Sequence, residues 1–325
     1  MKVIEVNNLR KEFISKKRAV KPNGKKSLFR KEKVVKNAVD GITFSVEEGE
    51  ALAFIGPNGA GKSTTIKMLT GILYPTSGEV KVLGYNPSKE RVKLSYQIGT
   101  VFGQKEQLWV HLSAYENFKF FGSIYDIKKD ELNARINELA GIFEIEPFMH
   151  QPVKSLSLGQ RMKCEMVASL LHKPKMLFFD EPTIGLDPIA KETLRKLIKK
   201  INRELGTTIL FTSHDVGDIE EVCKRVIIIN NGKIVLDDSM RNLKYHYMNK
   251  KIVEVNLKDN VKIKEKDGIK ILKSKNTMHK IEVDMNKTTM DELMGLFNAD
   301  DLQDITISST PLEDIIKDIY RGKND

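Results

Sequence analysis

The chain has 325 residues, 40% of them apolar, which is enough for two domains with sizeable cores and argues against wholesale disorder. Its formal net charge is +10, and its two cysteines, Cys164 and Cys223, form no CxxC pair, so a disulfide framework is not expected and a reducing cytosolic compartment is. The opening "MKVIEV" is strand-like rather than a signal peptide, and no apolar run approaches the roughly 18 residues of a spanning helix, so any membrane role is expected through a partner or surface binding.

The charge is concentrated near the start. Residues 15–37, "SKKRAVKPNGKKSLFRKEKVVKN", hold ten Lys or Arg against one Glu, a local net of +9, which leaves the rest of the chain close to neutral. Such a segment can attract nucleic acid, acidic lipid head groups or an acidic partner, or it can be an insertion kept solvated by its charge. Phe29 is its single aromatic, too few for a base-stacking platform, so nucleic acid is not the expected partner.

Further on, "ALAFIG" (51–56), "KMLFFDEP" (175–182), "TTILFTSH" (207–214) and "RVIIIN" (225–230) are short runs apolar on both faces, as in a parallel sheet covered by helices. Between them, residues 189–204 carry Leu194, Leu197, Ile198 and Ile201 on one helical side. The expected fold class is therefore α/β. Residues 105–165 break the rhythm; "ELNARINELAGIFEI" is helical, so a helical subdomain is expected there, inside an α/β domain covering 1–236. Residues 237–325 read as a small α+β domain. Strands "KIVEVNL" and "HKIEVDM" are followed by helices with capping boxes at Thr289/Glu292 and Thr310/Glu313, Pro311 standing at the first position of the second. Leu312, Ile315, Ile316 and Ile319 give that last helix a core stripe.

Between a strand and a helix stands "GPNGAGKST": Gly56, Pro57, Asn58, Gly59, Ala60, Gly61, Lys62, Ser63 and Thr64 fit the phosphate-cradling G-x-x-x-x-G-K-[ST]. Its glycines let backbone N–H groups wrap a polyphosphate, and the following helix adds its positive end. Lys62 is expected on the β- and γ-phosphates and Ser63 on Mg²⁺. A second acidic motif ends an apolar strand: Asp180 suits a Mg²⁺ role, and Glu181 is placed to take a proton from an attacking water. His214, at another strand end, is a third candidate contact.

"KSLSLGQRMKCE" (154–165) adds a puzzle. Ser157 and Gln160 form a capping box, and a capped helix start with Gly159 in its first turn is itself an anion site. One γ-phosphate gains little from two cradles in one subunit, so the second is expected to serve the nucleotide of another copy, head to tail.

With these motifs in this order, residues 1–236 resemble the nucleotide-binding subunit of an ABC transporter: P-loop Gly56–Thr64, Q-loop Gln104 in "GTVFGQ", signature "LSLGQ", Walker B Asp180–Glu181, D-loop "IGLD" ending at Asp187, and switch His214. The usual signature has glycine where Leu158 stands; as the first helical residue Leu158 needs no positive φ and is expected to face away from phosphate. The resemblance implies a homodimeric sandwich around two ATP molecules with Mg²⁺. Ser157, Gly159 and Gln160 of one subunit would close over the phosphates held by the other, Asp187 linking the sites. It also implies catalytic roles for Glu181, His214, Lys62 and Gln104, the last also at Mg²⁺, and adenine stacking by Phe13 or Phe29. No guanine motif N-K-x-D is present, which favours ATP. A single cassette without sustained heptads is similar to transporter subunits rather than soluble repair or translation cassettes. Its C-terminal domain resembles ABC-2-type exporters of the viologen-exporter group more than importers. A separate permease, a cytoplasmic place at the inner membrane face and acidic-lipid contact by residues 15–37 are the expected surroundings.

Overall fold

The computed structural model describes residues 1–20, 26–103, 105–213, 215–248, 250–258, 263, 265–297 and 299–320. The chain divides into two compact units, Met1–Asp237 and Asp238–Asp325.

The first unit begins with two long strands, β1 (Lys2–Val20) and β2 (Lys26–Glu47), followed by β3 (Ala51–Ile55) and α1 (Lys62–Leu69). Then come β4 (Ser77–Val82), α2 (Arg91–Ser95), β5 (Ile98–Phe102), α3 (Ala114–Ile124), α4 (Lys129–Phe143) and α5 (Leu158–Leu170). The unit closes with β6 (Met176–Asp180), α6 (Pro188–Glu204), β7 (Thr208–Thr212), α7 (Val216–Val222), β8 (Arg225–Asn230) and β9 (Lys233–Ser239), which reaches the boundary.

Six strands form one sheet in the order β5-β6-β7-β3-β8-β9, and β3, β5, β6, β7 and β8 pair in parallel. β3 and β7 are buried along their whole length, which is why their sequences are apolar on both faces. A three-stranded sheet, β2-β1-β4, packs against it through Phe44 and Phe54, whose rings lie 5.6 Å apart. The helical stretch is built as α3, α4 and α5. α3 starts from a Ser113–Glu116 capping box, and α6 from Asp187 with Pro188 at its first turn.

The basic segment takes a form that periodicity did not disclose. β1 pairs with β4 only between Ile4 and Arg10, whereas β1 and β2 stay paired through Phe13↔Lys36, Ile14↔Val35 and Lys16↔Lys33 to Val20↔Lys26. Residues 15–20 and 26–37 are thus the far part of a two-stranded antiparallel ribbon. Charged residues at about half of its positions, falling on both faces, hide the alternation by which a half-buried strand is recognised.

The second unit holds α8 (Met240–Met248), β10 (Lys250–Leu257), β11 (Ile269–Lys275), β12 (Met278–Asp284), α9 (Met290–Met294), β13 (Leu302–Ser309) and α10 (Leu312–Tyr320). Its antiparallel sheet runs β11-β12-β10-β13, with Val253, Val255, Ile281 and Val283 against Leu293 and Phe297. The Thr289–Glu292 capping box is present. α10 begins at Leu312, one residue past Pro311, and the Thr310 hydroxyl donates to Lys250 O at 3.0 Å, fastening the helix start to β10.

Phe178, with no exposed surface at the centre of β6, supports the strand that carries Asp180. Phe178→Ala is expected to cost about 3–5 kcal/mol, read as a lowered midpoint in urea denaturation.

Candidate active site

The carboxyl ends of β3, β6 and β7 lie side by side in the sheet, with Asp180 paired to Thr212 in register. Ligand sites of open α/β sheets form at this edge. Between β3 and α1 the loop squeezes past its neighbours: a Cβ on Gly56 would lie 2.1 Å from Ile229 O, and one on Gly61 2.5 Å from Ala38 O. Only glycine allows that approach, and Gly61 also holds φ at 116°. The loop borders a cavity of about 420 Å³ lined by residues 58–64 together with Phe13, Lys36, Ala38 and Glu181.

Lys62 is buried, and its Nζ donates to Gly56 O at 2.6 Å, folding the ammonium back over its own loop. Burial pushes its pKa below the usual lysine value, while Glu181 and Asp180 draw it back up. A polyphosphate offers this lysine a stronger acceptor than a neutral carbonyl.

Three elements meet on one carboxylate oxygen. Thr212 Oγ1 donates to Asp180 Oδ1 at 2.7 Å, and Ser63 Oγ reaches the same oxygen at 3.4 Å. The Thr212 hydroxyl also accepts from Glu181 N at 3.1 Å. Glu181 itself takes the left-handed conformation, φ 57°, unusual for a residue with a side chain and common where a site stores strain. Gly103 lies against this turn: its N–H donates to Asp180 O at 2.9 Å, and a Cβ on it would meet Glu181 O at 1.9 Å. A smaller cavity, about 230 Å³, shares Ser63 and Glu181 with the first and adds Asp180, Lys67 and Lys105 to its wall.

Ser63 and Asp180 are hard oxygen ligands of the kind Mg²⁺ takes, and Mg²⁺ ordinarily completes its octahedron with phosphate and water rather than a protein cage. Among the described residues no three His, Cys, Asp or Glu side chains gather at metal-binding distance. Residues and group fit.

Phe13 is half-exposed at the wall of the larger cavity, opposite Lys36 in the ribbon, with Lys11 Nζ 5.4 Å from its ring centre. Gln104 and His214 lie outside the described residues, as does the Phe29 side chain. Fully buried Asp218 receives Thr183 Oγ1 at 2.5 Å, Ser213 Oγ at 2.7 Å and Arg195 Nε at 2.6 Å. It thereby clamps the turn after Glu181 to the residue before position 214.

The capped helix start is also built. Ser157 Oγ accepts from Gln160 N at 3.2 Å, and Gln160 Oε1 accepts from Ser157 N at 2.9 Å. Leu158 is the first residue of α5, and its Cδ2 lies 3.2 Å from where a Cβ on Gly185 would sit, so its side chain packs against the D-loop. Asp187, also in that loop, caps α6 by accepting from Ile189 N and Ala190 N. Neither cavity beside the P-loop counts Ser157, Gly159 or Gln160 among its lining residues.

Sequence reasoning overlooked Gly103, Thr212, Asp218, Arg195 and Lys36. Thr212 left a signal, a hydroxyl at the end of an apolar strand; the others acquire meaning only through contacts distant in sequence. Thr212→Val keeps the shape but strips Asp180 of its closest hydrogen-bond donor. It is expected to lose about 1–3 kcal/mol of stability and to raise the Mg²⁺ concentration needed for half-maximal ATPase, checked by denaturation and a Mg²⁺ titration.

Comparison with known proteins agrees with this geometry. Residues 39–184 match the family model described as ABC transporter. The chain is 35% identical over 213 residues to the ABC transporter ATP-binding protein NatA of Bacillus subtilis, covering 66% of this chain and 86% of NatA. It is 31% identical over 298 residues to the bacitracin transport ATP-binding protein BcrA of Bacillus licheniformis, covering 88% of this chain and 93% of BcrA. Among solved structures, the dimeric ATP-binding cassette MJ0796, in a post-hydrolysis state bound to ADP and Pi, matches with a TM-score of 0.61 at 25% identity, covering 73% of this chain and 99% of that one. A phosphate loop, an adjoining acidic strand end and relatives aligned over most of their length lead to one conclusion: the chain belongs to the ATP-binding subunits of ABC transporters, a family of ATP-hydrolysing cassettes.

Proposed function

We propose that two copies of this chain close head to tail on two ATP molecules and that the closure drives export through a separate membrane permease. The observation that carries the reading is the separation of two anion-binding features within one protomer. The P-loop cavity has Lys62, Ser63 and Glu181 in its wall, whereas the Ser157 helix start lies outside that wall. A second copy can bring its own helix start to the first copy's nucleotide.

In this reading residues 56–64 hold the phosphates, Lys62 moving from Gly56 O to the β- and γ-phosphates. Phe13 stacks on adenine. Ser63, Asp180 and Gln104 hold Mg²⁺, which when bound neutralises charge on the phosphates. Glu181 takes the proton of the attacking water, and His214 holds the γ-phosphate. Ser157, Gly159 and Gln160 of the second copy cover that phosphate, and Asp187 links the two sites. ATP stabilises the closed pair by binding it better than the open one, and hydrolysis removes that preference.

The permease contact is supported by an exposed apolar patch just after position 104. Trp109 packs edge-on against Phe120 at 4.3 Å, both about half exposed, with Leu112 and Ile124 also open to solvent. No helix among the described residues is long and apolar enough to cross a membrane. Kinship with a protein named for bacitracin transport supports a transporter role; export rather than import is our reading of the small C-terminal α+β unit. The place of action is then the cytoplasmic face of the membrane. The basic ribbon, with its net charge of +9 between residues 15 and 37, is assigned to acidic lipid at that face.

Glu181→Gln is expected to bind ATP normally, to lose about 10²–10⁴-fold in turnover and to accumulate as an ATP-bound dimer, seen by single-turnover assay and sedimentation. Wild-type turnover in that variant, or a monomer with ATP present, would remove the proposal. Deleting residues 16–36 is expected to abolish salt-sensitive cosedimentation with vesicles rich in anionic phospholipid; unchanged cosedimentation sinks the lipid assignment.

A further inference from the structure

α5 does more than begin with the signature. Glu165, about two turns in, has only 2% of its surface exposed, flanked along the helix by buried Cys164 and Met166. A carboxylate there is expensive unless it is bonded. Its Oε1 accepts from Gln107 N at 3.5 Å, a long contact, and its Oε2 is buried without a partner among the described residues. Burial lifts its carboxyl to about 7, opposed by the Gln107 N–H and Arg161 and reinforced by Glu106. One helical turn earlier, Arg161 Nη1 binds Glu106 at 2.5 Å. Consecutive residues 106 and 107 are therefore gripped by two α5 side chains spaced i, i+4, which share one helix face.

The gripped segment is short at both ends. Three residues before Glu106, the Gly103 N–H is bonded to Asp180 O. Two residues after Gln107, the Trp109 N–H donates to Asn117 Oδ1 at 2.8 Å and Asn117 Nδ2 donates to Trp109 O at 3.1 Å. Gly103 is thus moored to the acidic strand end, and residues 106–109 to α5 and to α3.

We propose that Glu165, with the Arg161–Glu106 pair, is a positioning residue that ties the signature helix to the segment leaving the same protomer's nucleotide site. The inference rests on the head-to-tail reading above. There the first turn of α5 closes on the partner's nucleotide while Gly103 is bound to the strand end at its own. A tie between the two makes occupancy of one site favour closure over the other. The long Gln107 contact leaves room for the tie to tighten: drawing the segment toward α5 converts a marginal contact into a full-strength hydrogen bond.

The test uses the full-length chain in the Glu181→Gln background and reads the ATP·Mg²⁺ concentration that half-saturates dimerisation. Glu165→Ala and Arg161→Ala are each expected to raise it about tenfold. Glu165→Gln retains an oxygen for the Gln107 N–H and is expected to stay within about twofold of the parent. Binding of a fluorescent ATP analogue to dilute monomer should be unchanged in all three, since a merely structural lesion would weaken that too. Glu106→Ala alters an exposed residue and repeats the test even where Glu165→Ala fails to fold. Parental dimerisation in Glu165→Ala or Glu106→Ala, or equal damage in Glu165→Gln and Glu165→Ala, overturns the tie alone. Failure of the parent itself to dimerise overturns the sandwich and the tie together.

Discussion

The hydrogen bond from Thr212 to Asp180 is the constraint on which the site depends. A carboxylate at the edge of a sheet this apolar needs a donor, and Thr212 supplies it from the adjacent strand at the paired register position. The same hydroxyl receives the Glu181 N–H, and the same carboxylate oxygen receives Ser63. Strand β6, strand β7 and helix α1 are thereby joined to one another beside the phosphate loop. Apolar strands buried on both faces make this possible, because they leave no slack behind the polar ends they present.

Legibility in the sequence followed the range of the physics. The phosphate loop was readable because its chemistry is local: glycines, a lysine and a hydroxyl within nine residues, between a strand and a helix. The same holds for the parallel strands and for the helix caps at Ser157 and Thr289, whose partners lie three residues away. β5 and β13 went unrecognised because glycine, threonine, serine and glutamine dilute their apolar character; neighbouring strands hold them in place. The Asp218 clamp joins residues up to 35 positions apart, and no local pattern announces it. Gly103 is the sharpest instance. In the sequence it is one small residue before Gln104; in the fold it is the residue whose missing side chain lets the Glu181 turn exist.

The leucine in the signature finds its reason in the same close packing. Leu158 occupies the first helical position without positive φ and extends toward Gly185, while a Cβ on Gly159 would come within 3.2 Å of Ala190. The start of α5 therefore rests on the D-loop and on the first turn of α6, which Asp187 caps. A glycine at 158 would leave that contact empty; leucine fills it and costs nothing in backbone conformation. The departure from the family's usual residue exchanges flexibility at the cap for a packed joint between signature and D-loop. Such a joint passes displacement from one to the other rather than absorbing it.

The ribbon presses a similar question of balance. A two-stranded antiparallel ribbon is marginal by itself, and opposed like charges such as Lys16 and Lys33 weaken it further. Its root, by contrast, is anchored, since β1 is held by β4 and Phe13 and Lys36 stand at the wall of the nucleotide cavity. An element secured at one end and self-repelling toward the other gains stability from any anion that neutralises its far part. Because the strands are continuous, ordering the far part also stiffens Phe13 and Lys36 at the cavity wall. The pairing runs without a register shift from Phe13 to Arg18, so the two strands join the far part of the ribbon to the cavity wall as one hydrogen-bonded backbone.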